Sequence, residues 1–268
     1  MIDASRQAVA VTTPFSIWIA FQTIVIKEIR RFARIWVQTL LPPAITMALY
    51  FVIFGHLVGV RLENTQGYTY MQFIVPGLIM MAVITNSYAN VVSSFFGNKF
   101  QRSIEELMVS PTPEWVMLLG YVIGGVARGL AVGIIVMLLS LAFTGFMLQH
   151  VLATLLVVFL TASLFSTLGF INALYAKKFD DISIIPTFVL TPLTYFGGVF
   201  YSIDALPAIW QKISLFNPIV YMVDAFRYGL LGSGQFNIAL SLLMIAVLNV
   251  VLFVLALQLL KKGTGLKA

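Results

Sequence analysis

Long unbroken apolar stretches, not alternation, set the pattern of this chain. A helix needs about 20 apolar residues to cross a hydrocarbon core. Six segments meet that requirement: Val37–Val60, Met71–Phe96, Trp115–Phe146, Val151–Ala176, Ile182–Tyr201 and Ile238–Leu260. Only Met147–His150 separates the third from the fourth, a spacing that suits a tight helical hairpin. Ahead of the first span, Ser16 to Trp36 carries a different pattern. Lys27, Arg30, Arg31 and Arg34 recur on one stripe, while Ile17, Phe21, Ile24, Val25, Ile29, Phe32 and Trp36 gather opposite. That periodicity predicts an interfacial amphipathic helix with its apolar side in the acyl boundary and its cations toward headgroups. It serves either as a plain anchor or as a lever beside a motor protein.

Between the fifth and sixth spans, Ser202 to Gln235 is too apolar for a plain loop. Asp204 is placed to cap a short helix over Ala205–Leu215, and Asn217 with Pro218 forms a cap and first-position pair for a second. The second helix should end near Leu231, before Gly232. Both are too short to span, so they are expected to be re-entrant or interfacial. The predicted class is an all-α membrane protein of six transmembrane helices, with an amphipathic helix before them and re-entrant helices between spans five and six. Residues 1–36 form a tail and that first helix, and residues 37–268 the six-span domain.

Composition supports this picture. Hydrophobic residues make up 60% of the chain and charged residues 10%, against about 25% charged in a soluble domain. Met1 to Pro14 lacks the apolar core of a cleaved signal peptide and reads as a polar tail. There is no cysteine, which excludes disulfides and thiolate zinc sites.

The formal charge of +6 invites a nucleic-acid reading, but the location of the cations argues against one. With both termini cytoplasmic, that side holds Arg6, Lys27, Arg30, Arg31, Arg34, Lys99, Arg102, Lys177, Lys178, Lys261, Lys262 and Lys267. The other side holds Arg61, Lys212 and Arg227, while Arg128 lies within a span. This is the positive-inside distribution, and anionic lipid accounts for it without a nucleic acid.

Several segments could carry a mechanism. In the loop after span two, Ser103 and Glu106 have capping-box spacing, and Pro111 and Pro113 stop the helix after about two turns. Ile104, Leu107 and Met108 would form a small apolar face, destined for a partner's groove or for neighbouring loops of the same chain. Gly125, Gly129 and Gly133 form a GxxxGxxxG run that lets helices approach closely. Arg128 within that run must face protein, a hydrated cavity or an interface. Asn86, Asn90, Ser93 and Gly97 line one face of span two, and Ser183, Thr187, Thr191 and Thr194 one face of span five. Helix-to-helix hydrogen bonds and a hydrated pathway explain these stripes equally. Asp224 and Arg227, three apart, can pair.

No G-x-x-x-x-G-K-[ST] loop is present, and no His–carboxylate cluster suggests a metal or hydrolytic site. His56 and His150 stand alone near span ends. None of the ten acidic residues falls mid-span, which counts against a proton- or sodium-coupled carrier.

The stretches Pro192-Leu193-Thr194-Tyr195-Phe196-Gly197-Gly198-Val199-Phe200-Tyr201, Ile203-Asp204-Ala205-Leu206-Pro207 and Asn217-Pro218-Ile219-Val220-Tyr221-Met222-Val223-Asp224-Ala225-Phe226-Arg227 resemble the signature of the ABC type-2 exporter permeases. Pro76-Gly77 and the Ser103–Pro111 loop resemble that family too. The resemblance implies a homodimer of six-span permeases coupled to separate ATPase subunits, which hold the ATP and Mg, in a bacterial inner membrane. It makes Ser103, Ile104, Glu105, Glu106, Leu107 and Met108 the ATPase-coupling helix and Ser16–Trp36, with its four cations, the connecting helix. Asn86, Asn90, Arg128, Thr187, Thr191 and Thr194 are candidate pathway or interface residues. Asp204, Asn217, Pro218, Asp224 and Arg227 belong to the re-entrant segment near the outer gate. No cofactor is expected in this chain, and no catalytic residue. The alternative is a secondary carrier or channel working without an ATPase.

Overall fold

The structure, a computed structural model, describes residues 14–58, 67–110, 112–145 and 148–265. The N-terminal tail, Arg61, Pro111, Lys267 and the side chains of His56 and Met108 lie outside that description. Among the described residues all regular structure is helical. Five rods are long and apolar enough to cross a membrane: Trp36–Gly55, Tyr70–Phe100, Glu114–Ser140, Val151–Tyr175 and Ile238–Lys261.

Helix α1 (Pro14–Arg34) leads to a first span built from α2 (Trp36–Thr39), α3 (Leu41–Val52) and a π-helical turn over Ile53–Val58. At the centre stands α4 (Tyr70–Phe100), 31 residues long. Its start is a reciprocal capping box: Gln72 N–H donates to Thr69 Oγ1 at 3.3 Å, and Thr69 N–H to Gln72 Oε1 at 3.0 Å. The short α5 (Ser103–Val109) follows, then α6 (Glu114–Ser140) and α7 (Val151–Tyr175), which both pack on α4.

Small residues set the spacing of this triad. A methyl group at Gly129 would collide with Ser87 of α4, and one at Gly125 would reach Val91 Cγ2 at 2.5 Å. On α7, a methyl at Gly169 would lie 2.6 Å from the Tyr88 carbonyl oxygen. At Gly169 backbone meets backbone, and at Gly125 and Gly129 neighbouring side chains press directly on the glycine backbone, the close approach that small residues allow in membranes.

The chain continues through α8 (Asp181–Ile185), a π-helical turn (Pro186–Leu190), α9 (Thr191–Tyr195), a 3₁₀ turn (Ile203–Ala205), α10 (Ala208–Leu215), α11 (Pro218–Leu231) and α12 (Ile238–Lys261). The fifth predicted span departs from expectation. Its helical run, Asp181 to Tyr195, is only 15 residues long and contains Pro186 and Pro192. Gly197 and Gly198, the latter at φ +71°, then turn the chain away. The third-to-fourth connection is longer than the predicted hairpin, because α6 ends at Ser140 and turns follow.

Two predicted caps are also corrected. Arg102, at φ 61°, occupies the cap position of α5 and makes no side-chain cap, so Ser103 and Glu106 form no capping box. The Ser103 hydroxyl donates back to the Asn98 carbonyl at 3.2 Å instead. Asp204 sits within the 3₁₀ turn and caps nothing. The helix after it starts only at Ala208, behind Pro207. Asn217 does cap α11, accepting from Ile219 N–H at 3.0 Å with Pro218 at the first position, and Gly232 ends that helix in the left-handed region.

Candidate functional site

Two polar assemblies sit at opposite ends of α4. The first joins α1, α4 and α6. Helix α1 docks on α6 where Gly120 and Gly124 leave room: a methyl at Gly120 would lie 2.5 Å from Ile24 Cγ2, and one at Gly124 2.5 Å from Glu28 Cβ. Of the predicted apolar side, Ile24 and Phe32 are buried, whereas Ile29 and Trp36 are exposed. The most enclosed residue of the helix is an acid. Glu28 is fully buried, accepting from the Ser94 hydroxyl at 2.7 Å and facing Arg31 at 3.5 Å. Burial raises its pKa above the usual value, against the lowering pull of Arg31 and of the Ser94 hydrogen bond.

Arg31 therefore departs from the exposed members of the cation stripe, with 29% of its side chain still exposed. It turns inward and donates to the Asn90 carbonyl at 3.0 Å and to Asn90 Oδ1 at 2.8 Å. One turn away on α4, Asn86 Oδ1 accepts from Arg128 at 3.2 Å, and Arg128 also reaches the Thr39 carbonyl at 3.2 Å. Lys27, Arg30 and Arg34 remain exposed. Asn86, Asn90 and Arg128 thus converge with Arg31 and Glu28. Thr187, Thr191 and Thr194 do not join them: the first two are exposed, and Thr194 is buried with its hydroxyl donating to the Leu190 carbonyl at 3.0 Å. Sequence reasoning missed Glu28, because an acid inside a cation stripe reads as a surface counter-charge.

Beside this junction, α1 and α5 flank a groove of about 340 Å³ lined by Thr23, Lys27, Ser103, Glu106 and Leu107 among others. Ile104 is buried at 3% exposure in the chain's own core and Leu107 is half-buried, so Ile104 is not available to a partner. The outward residues of α5 are Glu105, Glu106 and Val109, the last 88% exposed. At the same end of the bundle, Lys99 Nζ donates to the carbonyls of Leu174 and Ala176, both at 2.7 Å, and so closes the end of α7.

The second assembly lies at the Tyr70 end. Arg227 and Asp224, both buried, face each other at 3.8 Å. Arg227 also donates to the Gly198 carbonyl at 2.9 Å, and its guanidinium stacks 4.0 Å over the Phe73 ring. Asp224 accepts from Gln235 N–H and Phe236 N–H, each at 2.9 Å, and Gln235 Nε2 reaches Ser202 Oγ and Asp204 Oδ2, each at 2.6 Å. Gly77 admits the Val199 backbone here, since a methyl at Gly77 would lie 2.7 Å from the Val199 oxygen. The Pro76-Gly77 pair and the Gly197-Gly198-Val199 turn therefore meet in space.

A bundle of apolar rods with an ion pair toward each end of α4 defines a polytopic α-helical membrane protein. Residues 19–231 match the family model described as ABC-2 type transporter. The chain belongs to that family, as a membrane permease of an ABC transporter. It is 56% identical over 251 residues to the "Inner membrane transport permease YadH" of Escherichia coli K12, covering 94% of this chain and 98% of that one. It is 24% identical over 219 residues to "Nodulation protein J" of Rhizobium leguminosarum bv. viciae, covering 80% of this chain and 83% of that one.

Proposed function

We propose that this chain is the permease subunit of an ATP-driven exporter, working as a homodimer in a bacterial inner membrane with a separate ATPase subunit bound on the α5 side. On this reading both termini and α5 are cytoplasmic. The observation that carries it is the presentation of α5: Ile104 roots the helix in the permease core while Glu105, Glu106 and Val109 project from its end. A force on that outward face passes through Ile104 to α4 and, across the adjoining groove, to α1. Helix α1 passes it through Glu28 and Arg31 to the spans.

Nucleotide-driven closure of the ATPase pair would move α5 and α1 together and shift the bundle between inward- and outward-open states. It can do so only as far as the ATPase binds the two states with different affinity. Span five, with its two interior prolines, completes a sixth crossing together with the Phe196–Tyr201 turn, and α10 and α11 form the re-entrant outer segment.

The test is affinity purification in mild detergent, with the bound chains identified. Wild type is expected to retain a Walker-motif ATPase near one copy per permease. Glu105→Lys with Glu106→Lys, which reverses the outward charge but leaves Ile104 rooted, is expected to lose it. Retention of the ATPase and of transport in that double variant would sink the assignment of α5.

A further inference from the structure

The hydrogen bonds at the α1–α4–α6 junction do not close. Arg31 and Arg128 each use one terminal nitrogen on Asn90, Asn86 and Thr39. Arg31 Nε, Arg128 Nε and Asn90 Nδ2 are all buried and have no acceptor. These unmet groups are all donors, and none has a protein acceptor, a costly state for a buried polar group. The charge is unbalanced as well. Glu28 stands beside Arg31, but Arg128, inside a span, has no carboxylate within ion-pair distance among the described residues. Such a set of donors suits an anion that offers several acceptor oxygens.

Depth narrows the chemistry. Tyrosines favour the membrane boundary, and α4 begins at Tyr70. At 1.5 Å per residue, Asn90 lies about 30 Å further along, the thickness of the hydrocarbon core. Asn86, which accepts from Arg128, falls about 6 Å short of that boundary, a distance that a long cationic side chain can bridge. Arg31, with 29% of its side chain exposed, stands at the same level. Both guanidiniums thus lie within about 6 Å of the hydrocarbon boundary on the α5 side, close to the level of lipid phosphates.

We propose that Arg31 and Arg128, positioned by Asn90 and Asn86, bind the phosphate of an anionic phospholipid headgroup in the leaflet on the α5 side, fastening α1 to the α4–α6 pair. A phosphate accepts and never donates, and a guanidinium fork matches its oxygens. Soluble phosphate offers the same chemistry, but the depth of the site selects the lipid.

The test uses the full chain, purified and stripped of lipid, then titrated separately with phosphatidylglycerol and with inorganic phosphate while thermal unfolding is followed. Phosphatidylglycerol is expected to raise the unfolding temperature and to remain bound in native mass spectra. Arg31→Gln and Arg128→Gln should each weaken that binding about tenfold, the scale of one charge-assisted contact. Lys27→Gln and Arg34→Gln, on the exposed stripe, should change it less than about twofold, because exposed charges act weakly. If Arg128→Gln does not fold, Arg128→Lys keeps the charge without the fork and should still weaken binding. Unchanged lipid affinity in both Arg31→Gln and Arg128→Lys would overturn the site. Equal stabilisation by inorganic phosphate at the same concentration would overturn its assignment to lipid.

Discussion

Glu28 carries the sharpest expectation about how α1 is held. In Glu28→Ala the buried Ser94 hydroxyl loses its 2.7 Å carboxylate acceptor, and an unmet buried hydroxyl costs about 1–3 kcal/mol. The Arg31 pair adds little, because it is long at 3.5 Å and its guanidinium side is 29% exposed. Exposed pairs contribute within about 0–1 kcal/mol. The Cβ contact with Gly124 survives in alanine, so the docking surface itself is retained. Together these give about 1–4 kcal/mol of weakened docking, or about 5- to 700-fold in the open population.

The chain has no cysteine, so Ile24→Cys, facing Gly120 at 7% exposure in the parent, introduces a sole thiol under the helix. Its maleimide labelling rate, normalised to a free thiol, follows the open population when opening is fast. Glu28→Ala should accelerate labelling by that factor. Glu28→Gln keeps the volume and an oxygen for Ser94, so it should stay within about threefold of the parent. The reasoning fails if alanine stays within threefold too, or if glutamine matches alanine. The pH dependence has a definite sign. Burial raises the folded-state pKa of Glu28 above 4.5. The proton-linked part of its contribution is therefore complete below that value and is lost as pH rises through the folded-state pKa. Normalised labelling of the parent should increase across that window, and that of Glu28→Gln should stay flat.

Gly77→Ala places a methyl 2.7 Å from the Val199 oxygen and 2.8 Å from its Cα. Both are backbone atoms that cannot rotate away, so a loss of about 1–3 kcal/mol is expected by thermal or chemical unfolding. Gly97→Ala, with no atom within 4 Å, should instead be neutral or stabilising by up to about 1 kcal/mol. Arg227→Met leaves Asp224 buried without its cation and the Gly198 carbonyl without its donor. It should cost about 3–5 kcal/mol in chemical unfolding, and a cost below about 1 kcal/mol would show that the two backbone N–H groups on Asp224 suffice.

Much of the fold is written in local pattern. Spans two, four and six follow directly from apolar length, because a helix must satisfy its own backbone in lipid and about 20 apolar residues set its extent. The cap at Asn217-Pro218 and the stop at Gly232 rest on chemistry within a few residues, so they too were legible. Span five was not, because its apolar length is sufficient but Pro186, Pro192 and the Gly197-Gly198 turn decide where the helix bends and ends. Ser103 and Glu106 have the spacing of a capping box, yet Arg102 takes the cap position because the turn out of α4 imposes a left-handed residue there.

The sequence by itself determined that this chain crosses a membrane as helices, where most of those helices lie and which family its motifs resemble. These properties depend on composition, on runs of apolar residues and on contacts between near neighbours. Only the tertiary structure decided which charges are buried and with whom. Glu28 meets Ser94 across 66 positions and Arg31 meets Asn90 across 59, while Ile104 turns into the core and Glu105 turns out. Such pairings depend on which helix faces which and at what rotation. Glycines at Gly120, Gly124, Gly125 and Gly129 set that geometry by letting backbones approach, and no periodicity along one helix specifies the partner that fills the space.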